Sequence, residues 1–527
     1  MFAWNASTHH HRKPVSCRLR AASKSHLLGG LLLIAMIVLA LLLAYKLPEH
    51  KLETSMAGAQ IAINPQHLRG TIPATAFGMN TAVWDGNLLD TAVPGLLRQA
   101  GITMLRFPGG SIADVYHWEH NAITPGRGYS NPNNTFDAFM GVVQHTGAQA
   151  FITVNYGSNI AGTGGGDPAE AAAWVRYANI TRHYGITYWE IGNEVYGNGT
   201  YSGQWEADLH PTKGPDTYAR NVLQYARMMK AVDPSIKIGV ALTIPDTHPA
   251  VKQSPMASWN RTILSMTCKQ IDFVDIHWYP DWHEPGDYRG TDTMLLASTS
   301  QIPAIMSRLR SEISRYCGTH ARDIQILVGE TNTGNPGKQQ VSLVNALFLA
   351  DSYMTWLENG AANVSWWDLH NGIETNGNNR PSLFGTANYG DVGVLANGTC
   401  AAGVCEPPAN TPFPPYYGLQ MLTIIGAPGD RMATAASQQR LVSAHAVMRA
   451  NGNIAILLIN KDASTSYAVS LALSGYTPAS RATVYSYGMQ STAISWSIRS
   501  GASRTFTQII PPYSLTTIIL TPGKHHP

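Results

Sequence analysis

Apolar residues along this chain come in short blocks whose spacing changes character twice. From about residue 77, brief strand-like runs alternate with longer helical segments. The strand candidates are Gly78–Trp84, Met104–Phe107, Ala150–Tyr156, Tyr188–Glu194, Lys237–Thr243, Phe273–Tyr279, Ile326–Asn332 and Val364–His370. Helical segments such as Asp216–Val232 run between them, opened by Gly214-Pro215-Asp216 and closed by Asp233-Pro234. Strand–helix alternation predicts a parallel sheet, and eight such units over about 300 residues match the size of a (β/α)8 TIM barrel. An open doubly wound sheet competes, but no glycine-rich turn follows the first strand as a dinucleotide site demands. Gly162-Thr163-Gly164-Gly165-Gly166 follows the third strand and reads as a surface loop. The barrel domain is expected over 73–427, closing with a helix Pro415–Ile425.

After Gly429 the helical segments stop. Leu441–Met448, Ile454–Asn460, Tyr467–Leu473, Ala482–Tyr487 and Ser514–Leu520 read as strands separated by turn residues, which predicts a β-sandwich over 428–522. The strand-like segment 59–72, ahead of the barrel, is expected to add an edge to it.

Leu27–Tyr45 is an almost unbroken apolar run preceded by Arg12, Lys13, Arg18, Arg20 and Lys24. Its length approaches the roughly 20 residues that span a bilayer as a helix. Positive charge ahead of it predicts a cytoplasmic tail over 1–26, a transmembrane signal anchor over 27–45, a linker over 46–58 and an exported remainder. A cleaved signal, giving a secreted protein, is the alternative. The small-residue site Ala57-Gly58-Ala59, however, lies well past the apolar run.

Composition narrows the class. Hydrophobic residues make up 44% and charged residues 13%, as in a folded globular protein. The net charge of +3, with no basic stripe beyond the N-terminal tail, argues against nucleic acid as a partner. The chain carries 13 Trp and 23 Tyr, whose flat faces stack well on sugar rings although most belong to a core. Cys400 and Cys405 bracket a short loop and suit a local disulfide in an oxidising compartment. Cys268 and Cys317 precede successive strands, and either a second bridge or two buried thiols is compatible with that placing. No Cys/His cluster has zinc spacing, and no metal or cofactor is expected.

Catalytic groups of a TIM barrel stand at the C-terminal ends of its strands. Two glutamates stand there: Glu194, in Trp189-Glu190-Ile191-Gly192-Asn193-Glu194 after the fourth strand, and Glu330, in Val328-Gly329-Glu330-Thr331-Asn332 after the seventh. Strands four and seven face each other across a barrel of eight, so these side chains can converge on one sugar. Cleaving a glycosidic bond takes two such carboxyls, one to protonate the leaving group and one to attack or to activate water.

With Asn-Glu ending the fourth strand and Glu ending the seventh, the chain resembles glycoside hydrolase clan A. The resemblance spans about residues 60 to 522. It implies a retaining glycosidase acting on plant or microbial polysaccharide or oligosaccharide glycosides, with Glu194 as acid/base and Glu330 as nucleophile. Asn193 would then bond a sugar hydroxyl, Arg106 would sit beside the nucleophile, and Tyr279 would donate to Glu330. His277 completes a His-x-Tyr, and Trp367 would floor the sugar site. Each has a plainer reading: Arg106 as the counter-ion of a buried Glu190, His277 as a core histidine. Strand alternation sends one of Trp366 and Trp367 away from the axis. Trp84 and Asp85, with Tyr116 and Trp118, are candidate substrate walls.

Arg106-Phe107-Pro108-Gly109-Gly110, Tyr116-His117-Trp118-Glu119 and Val232-Asp233-Pro234-Ser235 are similar to stretches of α-L-arabinofuranosidases. Ser111 departs from their usual Asn, and Thr331-Asn332 after Glu330 is more similar to the β-glucuronidase and heparanase-like family, as is Gly110-Ser111-Ile112-Ala113-Asp114. A glucuronidase would need its sugar carboxylate met by the polar segment Asn371–Arg380. A reading of another class, an inactive surface carbohydrate-binding protein, sits poorly with two intact catalytic carboxyls.

Overall fold

The structure is a computed structural model that describes residues 56–201, 203–244, 257–280, 291–334, 337–375 and 387–523. The expected anchor, Leu27–Tyr45, its flanking tail and Cys17 lie outside these, as does the second half of Asn371–Arg380. Among the described residues no helix is long and apolar enough to cross a membrane.

The first strand, β1 (Met56–Thr71), precedes eight strands that close a parallel barrel: β2 (Phe77–Asn80), β3 (Met104–Phe107), β4 (Gln149–Val154), β5 (Tyr188–Ile191), β6 (Lys237–Ala241), β7 (Phe273–Trp278), β8 (Gln325–Thr331) and β9 (Asn363–Trp366). Each pairs with the next, and β9 pairs with β2 to shut the ring. All eight expected barrel strands are present, several of them shorter at the C-terminal end. There the chain leaves the ladder to form the rim: Gly192 has φ +72° and Glu194 φ +37°.

Helices cover the outside for the reason their spacing announces. Pro215–Val232 starts on a proline, whose missing N–H costs nothing at that position, and buries Tyr218, Val222, Tyr225 and Met229 on one stripe. Leu343–Glu358 is buried almost throughout, because barrel and second sheet flank it on two sides. Cys268 and Cys317, at the ends of helices Ala257–Thr267 and Ile302–Cys317, form a disulfide, as do Cys400 and Cys405.

The barrel interior is built in layers, because every second residue of a strand points inward. Met104, Phe151, Tyr188, Phe273 and Leu327 form an apolar plug near the strand starts. A side chain at Gly239 would meet the Phe273 ring at 2.0 Å, so glycine makes room for that plug. Two residues further along the same strands stand Arg106, Thr153, Glu190, Asp275 and Gly329. A polar layer therefore lies directly on the plug.

Eight strands follow the barrel: β10 (Arg431–Ser437), β11 (Val442–Met448), β12 (Ile454–Asn460), β13 (Ser466–Leu473), β14 (Pro478–Gly488), β15 (Ser495–Ser500), β16 (Thr505–Ile510) and β17 (Ser514–Pro522). With β1 they make one continuous ladder in the order β15-β14-β17-β12-β11-β10-β1-β13-β16, where two separately bonded sheets were expected. The bridge is β1. It starts at Met56, inside the expected linker, and runs antiparallel to β10 and parallel to β13, so it is an interior strand rather than an edge. Its alternation fits that place: Ala59, Ile61 and Ile63 join Ile456, Leu458, Val469, Leu471 and Ile518 in the sheet's own core. The other face of β12, with Ala455, Leu457 and Ile459, packs into the barrel's core. Burial on both faces accounts for the unbroken apolar run of that strand.

Candidate active site

The polar layer on the plug carries a buried charge network. Arg106, 1% exposed, donates from Nη2 to Glu190 Oε2 at 2.9 Å and from Nη1 to Glu330 Oε1 at 2.8 Å. The same guanidinium donates to Asn193 Oδ1 at 2.8 Å and Asn80 Oδ1 at 3.1 Å. Both readings of Arg106 therefore hold at once: it is the counter-ion of Glu190 and the neighbour of Glu330. Burial opposes its charge, but Glu190, Glu330 and Asp275 outweigh burial and raise its pKa further. Glu190, buried beneath the site, is pushed up to about 8 by burial against the pull of Arg106.

Glu330 receives a second hydrogen bond, from the Tyr279 hydroxyl to Oε2 at 2.8 Å. Opposite it, Glu194 Oε1 faces His277 Nδ1 at 2.8 Å, and Trp205 Nε1 donates to Glu194 Oε2 at 2.6 Å. One carboxylate oxygen of Glu194, one of Glu330 and a ring nitrogen of His277 all lie within 4.8 Å of one another. Burial pushes both carboxyls up. At Glu194, hydrogen bonds from His277, Trp205 and Tyr196 outweigh burial and hold it below the usual glutamate value, whereas Glu330 stays above it despite His277 and Arg106. Burial would discharge His277, but Glu330, Asp275 and Glu194 hold its pKa well above the ordinary value. The two shifts, Glu194 down and His277 up, both favour an ion pair across their 2.8 Å contact.

Asn193 is fixed on three sides. Its backbone N–H donates to Asp114 Oδ2 at 3.1 Å, its side-chain oxygen accepts from Arg106, and its amide donates to Glu206 Oε1 at 2.9 Å. Ser111, which stands where an Asn was expected from the resemblance, donates to the same Glu206 oxygen at 2.7 Å. Glu206, Trp205, Asp114 and Asp275 were not among the expected site residues. Asp275 was within reach of strand alternation, since it stands two residues before His277. Asp114 stands in a short helical turn, Gly110–Val115, and Trp205 and Glu206 in a loop, with no periodic signal to mark them.

The two adjacent tryptophans part as alternation requires. Trp366 is buried against Phe348 and Tyr353, on the outside of the barrel. Trp367 is partly open and lies over Gly110, with Trp84 6.3 Å away, so these two rings belong to one wall. Trp118 does not join them. It stacks on Trp174 at 5.8 Å and packs on Tyr177 and Phe136, in an aromatic cluster of the outer helices. Tyr116 is buried in the same region, edge-on to Phe107. Asp85 is buried and bonded to His370 at 2.8 Å. Next to Trp367 is Asp368, fully buried, with neither carboxyl oxygen hydrogen-bonded; burial, Asp391, Asp85 and Glu330 push it well above the usual aspartate value.

No family model matches the chain. Among curated proteins it is similar to probable α-L-arabinofuranosidase C of Aspergillus clavatus, 27% identical over 198 residues, covering 33% of this chain and 36% of that protein. It is also similar to the intracellular exo-α-(1→5)-L-arabinofuranosidase of Streptomyces lividans, 24% identical over 258 residues, covering 42% and 36%. The chain thus spans little more than a third of the length of these two relatives. Among solved structures, an α-L-arabinofuranosidase from Thermotoga maritima in complex with arabinose superposes with a TM-score of 0.65 at 18% identity, over 88% of this chain and 99% of that one. A family 44 xyloglucanase from Paenibacillus polymyxa does so at 0.62 and 14%, over 89% and 100%. At these identities the structural likeness is one of fold.

Proposed function

We propose that the protein is a retaining glycoside hydrolase that removes α-L-arabinofuranosyl-type groups, with Glu330 as nucleophile and Glu194 as general acid and base. The observation that carries this reading is the approach of Glu194 and Glu330 oxygens to within 4.8 Å. Direct attack by one carboxylate needs the pair about 5–5.5 Å apart, whereas an inverting pair leaves about 6.5–9.5 Å for a water.

Each neighbour then has work that follows from its contacts. Arg106 and Tyr279 favour the ionised Glu330 against the pull of burial. Glu194 takes its proton along the hydrogen bond from His277 and passes it to the departing oxygen while Glu330 bonds to the anomeric carbon. In the second half, Glu194 draws a proton from water, and the hydroxide released displaces Glu330 with net retention. Trp84 and Trp367 offer the apolar wall, and Asn193 a fixed amide for a sugar hydroxyl.

A neutral sugar suits the wall better than a uronic acid. Asp368, next to Trp367, interacts with Asp391, Asp85 and Glu330, so the groups around it are acidic rather than the basic ones a sugar carboxylate would call for. The two disulfides support placing the catalytic part in an oxidising compartment outside the cytoplasm, in keeping with the anchor expected at Leu27–Tyr45.

The test is turnover of an aryl glycoside panel by the full chain and by Glu330→Ala. Release from α-L-arabinofuranoside, lost in the variant and giving first the anomer of unchanged configuration by NMR, is the expected result. Release from β-D-glucuronide instead would overturn the sugar assignment. Turnover that survives in Glu330→Ala would overturn the mechanism.

A further inference from the structure

His277 is held from both sides. Its Nδ1 faces Glu194 Oε1 at 2.8 Å and lies 3.5 Å from Glu330 Oε2, while its Nε2 faces Asp275 Oδ2 at 3.4 Å. Asp275 is buried and two residues earlier on β7, on the same inward face. Its other oxygen accepts the backbone N–H of Gly329 at 2.6 Å, across the ladder to β8. A side chain at Gly329 would lie 2.0 Å from Asp275 Oδ2, so the residue before Glu330 is one that leaves this carboxylate its place. Asp275 Oδ2 has no hydrogen-bond partner of normal geometry, and the imidazole is the nearest cation to it among the described contacts.

We propose that Asp275 is a positioning residue that makes His277 the proton reserve of Glu194. The proposal rests on the glycosidase reading and adds a role for a residue that touches neither substrate nor the reacting atoms. With Asp275 facing Nε2, that nitrogen keeps its hydrogen throughout, and the mobile proton is the one on Nδ1. As the glycosidic bond breaks, Nδ1 gives its proton to Glu194 Oε1 and Glu194 hands a proton on to the leaving oxygen, so Glu194 ends as the carboxylate that the second half needs. The imidazole is left neutral, with its Nε2 hydrogen still turned toward Asp275 Oδ2 at 3.4 Å. When Glu194 deprotonates the incoming water, the proton returns to Nδ1, and the cycle closes without net change.

The groups that set the charge of His277 come from several strands. Glu190 and Glu194 face it from β5 and its rim, Glu330 from β8, and Asp275 from its own strand; Arg106 on β3 pairs with Glu190 and Glu330. Tyr279 reaches the same Glu330 oxygen. Of these, Asp275 is the one carboxylate that contacts Nε2.

Asp275→Asn tests the idea, because the amide oxygen can still accept from Gly329 while the charge is lost. NMR titration of the His277 ring in the full chain is expected to show a pKa well above the ordinary histidine value, falling by a unit or more in the variant. In kinetics, the alkaline limb of kcat/KM should move to lower pH. Substrates with poor leaving groups should lose about 10- to 100-fold, while a dinitrophenyl glycoside stays within about twofold. Equal losses on both substrates with an unmoved limb would mean that Asp275 only supports the strand, and would overturn the proposal. An ordinary His277 titration in the unsubstituted protein would overturn it too, whether or not the variant folds. A protein that hydrolyses no glycoside, yet shows the raised His277 pKa and its fall in Asp275→Asn, would sink the enzymatic reading and keep the carboxylate–imidazole coupling.

Discussion

Arg106 Nη1 lies 2.8 Å from Glu330 Oε1 while Nη2 of the same guanidinium lies 2.9 Å from Glu190 Oε2, so one cation serves two buried carboxyls on β5 and β8. Removing it takes from both the cation they are hydrogen-bonded to and leaves them only the more distant His277 ring, 3.5 Å from Glu330. Breaking a buried pair in this way costs about 3–5 kcal/mol. Arg106→Gln should therefore melt at a lower temperature, and its Glu330 should take up a proton more readily. The acidic limb of kcat/KM, which reports the ionised nucleophile, should move to higher pH. The loss of stability should also grow with pH. A carboxyl whose folded pKa is raised binds its proton more tightly when folded, so stability falls as pH climbs above the unfolded value of about 4.3. Denaturant melts at pH 4.5 and pH 8 check this, with the larger deficit expected at pH 8.

Glu194 contacts His277, Trp205 and Tyr196 but none of the charges on the plug. Glu194→Ala should leave the fold intact and separate substrates by their leaving groups. Substrates that need protonation should lose about 100- to 10,000-fold in rate, and a dinitrophenyl glycoside should lose little in its first step. Azide, a nucleophile that needs no base, should restore the second step and yield a glycosyl azide of unchanged configuration. Equal losses on every substrate would remove Glu194 from the acid role.

Gly110 has φ +45°, and a Cβ there would stand 2.7 Å from the outer edge of the Trp367 ring. The ring is thus seated on a residue with no side chain. Gly110→Ala meets both a backbone region that side chains rarely adopt and the tryptophan itself. The variant should displace Trp367 and raise KM by about 10-fold, equivalent to about 1.4 kcal/mol of binding, with a smaller change in kcat. Michaelis kinetics on the aryl arabinofuranoside would show it, and an unchanged KM would take Trp367 out of the sugar wall.

The barrel was legible in the chain because its strands are buried on both sides and its helices on one stripe, so two different periods announce two kinds of element. The paired glutamates were legible for the same reason: strand ends mark where a barrel places its chemistry. Other features left weaker marks. Ser495–Ser500 is mostly exposed and Thr505–Ile510 half so, and each is short with only two or three apolar residues, Trp496 and Ile498 in one and Phe506, Ile509 and Ile510 in the other, a weaker mark than the run of β12. Trp118 follows the second barrel strand by only eleven residues, yet a two-stranded hairpin and short helical turns carry it onto the outer helices. Glu206 reaches Asn193 from a loop thirteen positions on, and no local pattern foretells that contact. The single ladder was hidden as well, because β1 is separated from its partners in sequence by the whole barrel.

Where the sheet meets the barrel, a buried cluster links charges from the two. Lys461 Nζ lies 2.6 Å from Asp351 Oδ2, and His445 bridges Asp351 at 3.0 Å and Glu358 at 2.9 Å. Burial pushes Asp351 up, but Lys461 and His445 hold it far below the usual aspartate value. Burial pulls His445 down, but Glu358 and Asp351 raise it to about 9. The signs fix a pH window. The raised histidine contributes fully below its unfolded value of about 6.5 and loses its contribution as pH rises through about 9. The lowered aspartate contributes above about 3.9 and loses its share as pH falls through its depressed folded value. His445→Gln should therefore cost much more stability at pH 6 than at pH 10, read from melting temperatures at both. Lys461→Met alone leaves Asp351 buried and should cost about 3–5 kcal/mol, whereas Asp351→Asn combined with Lys461→Met removes both charges and should recover most of it. A cycle in which the two substitutions simply add would show that the sheet is held to the barrel by the apolar contacts of Leu457 and Ile459 rather than by this cluster.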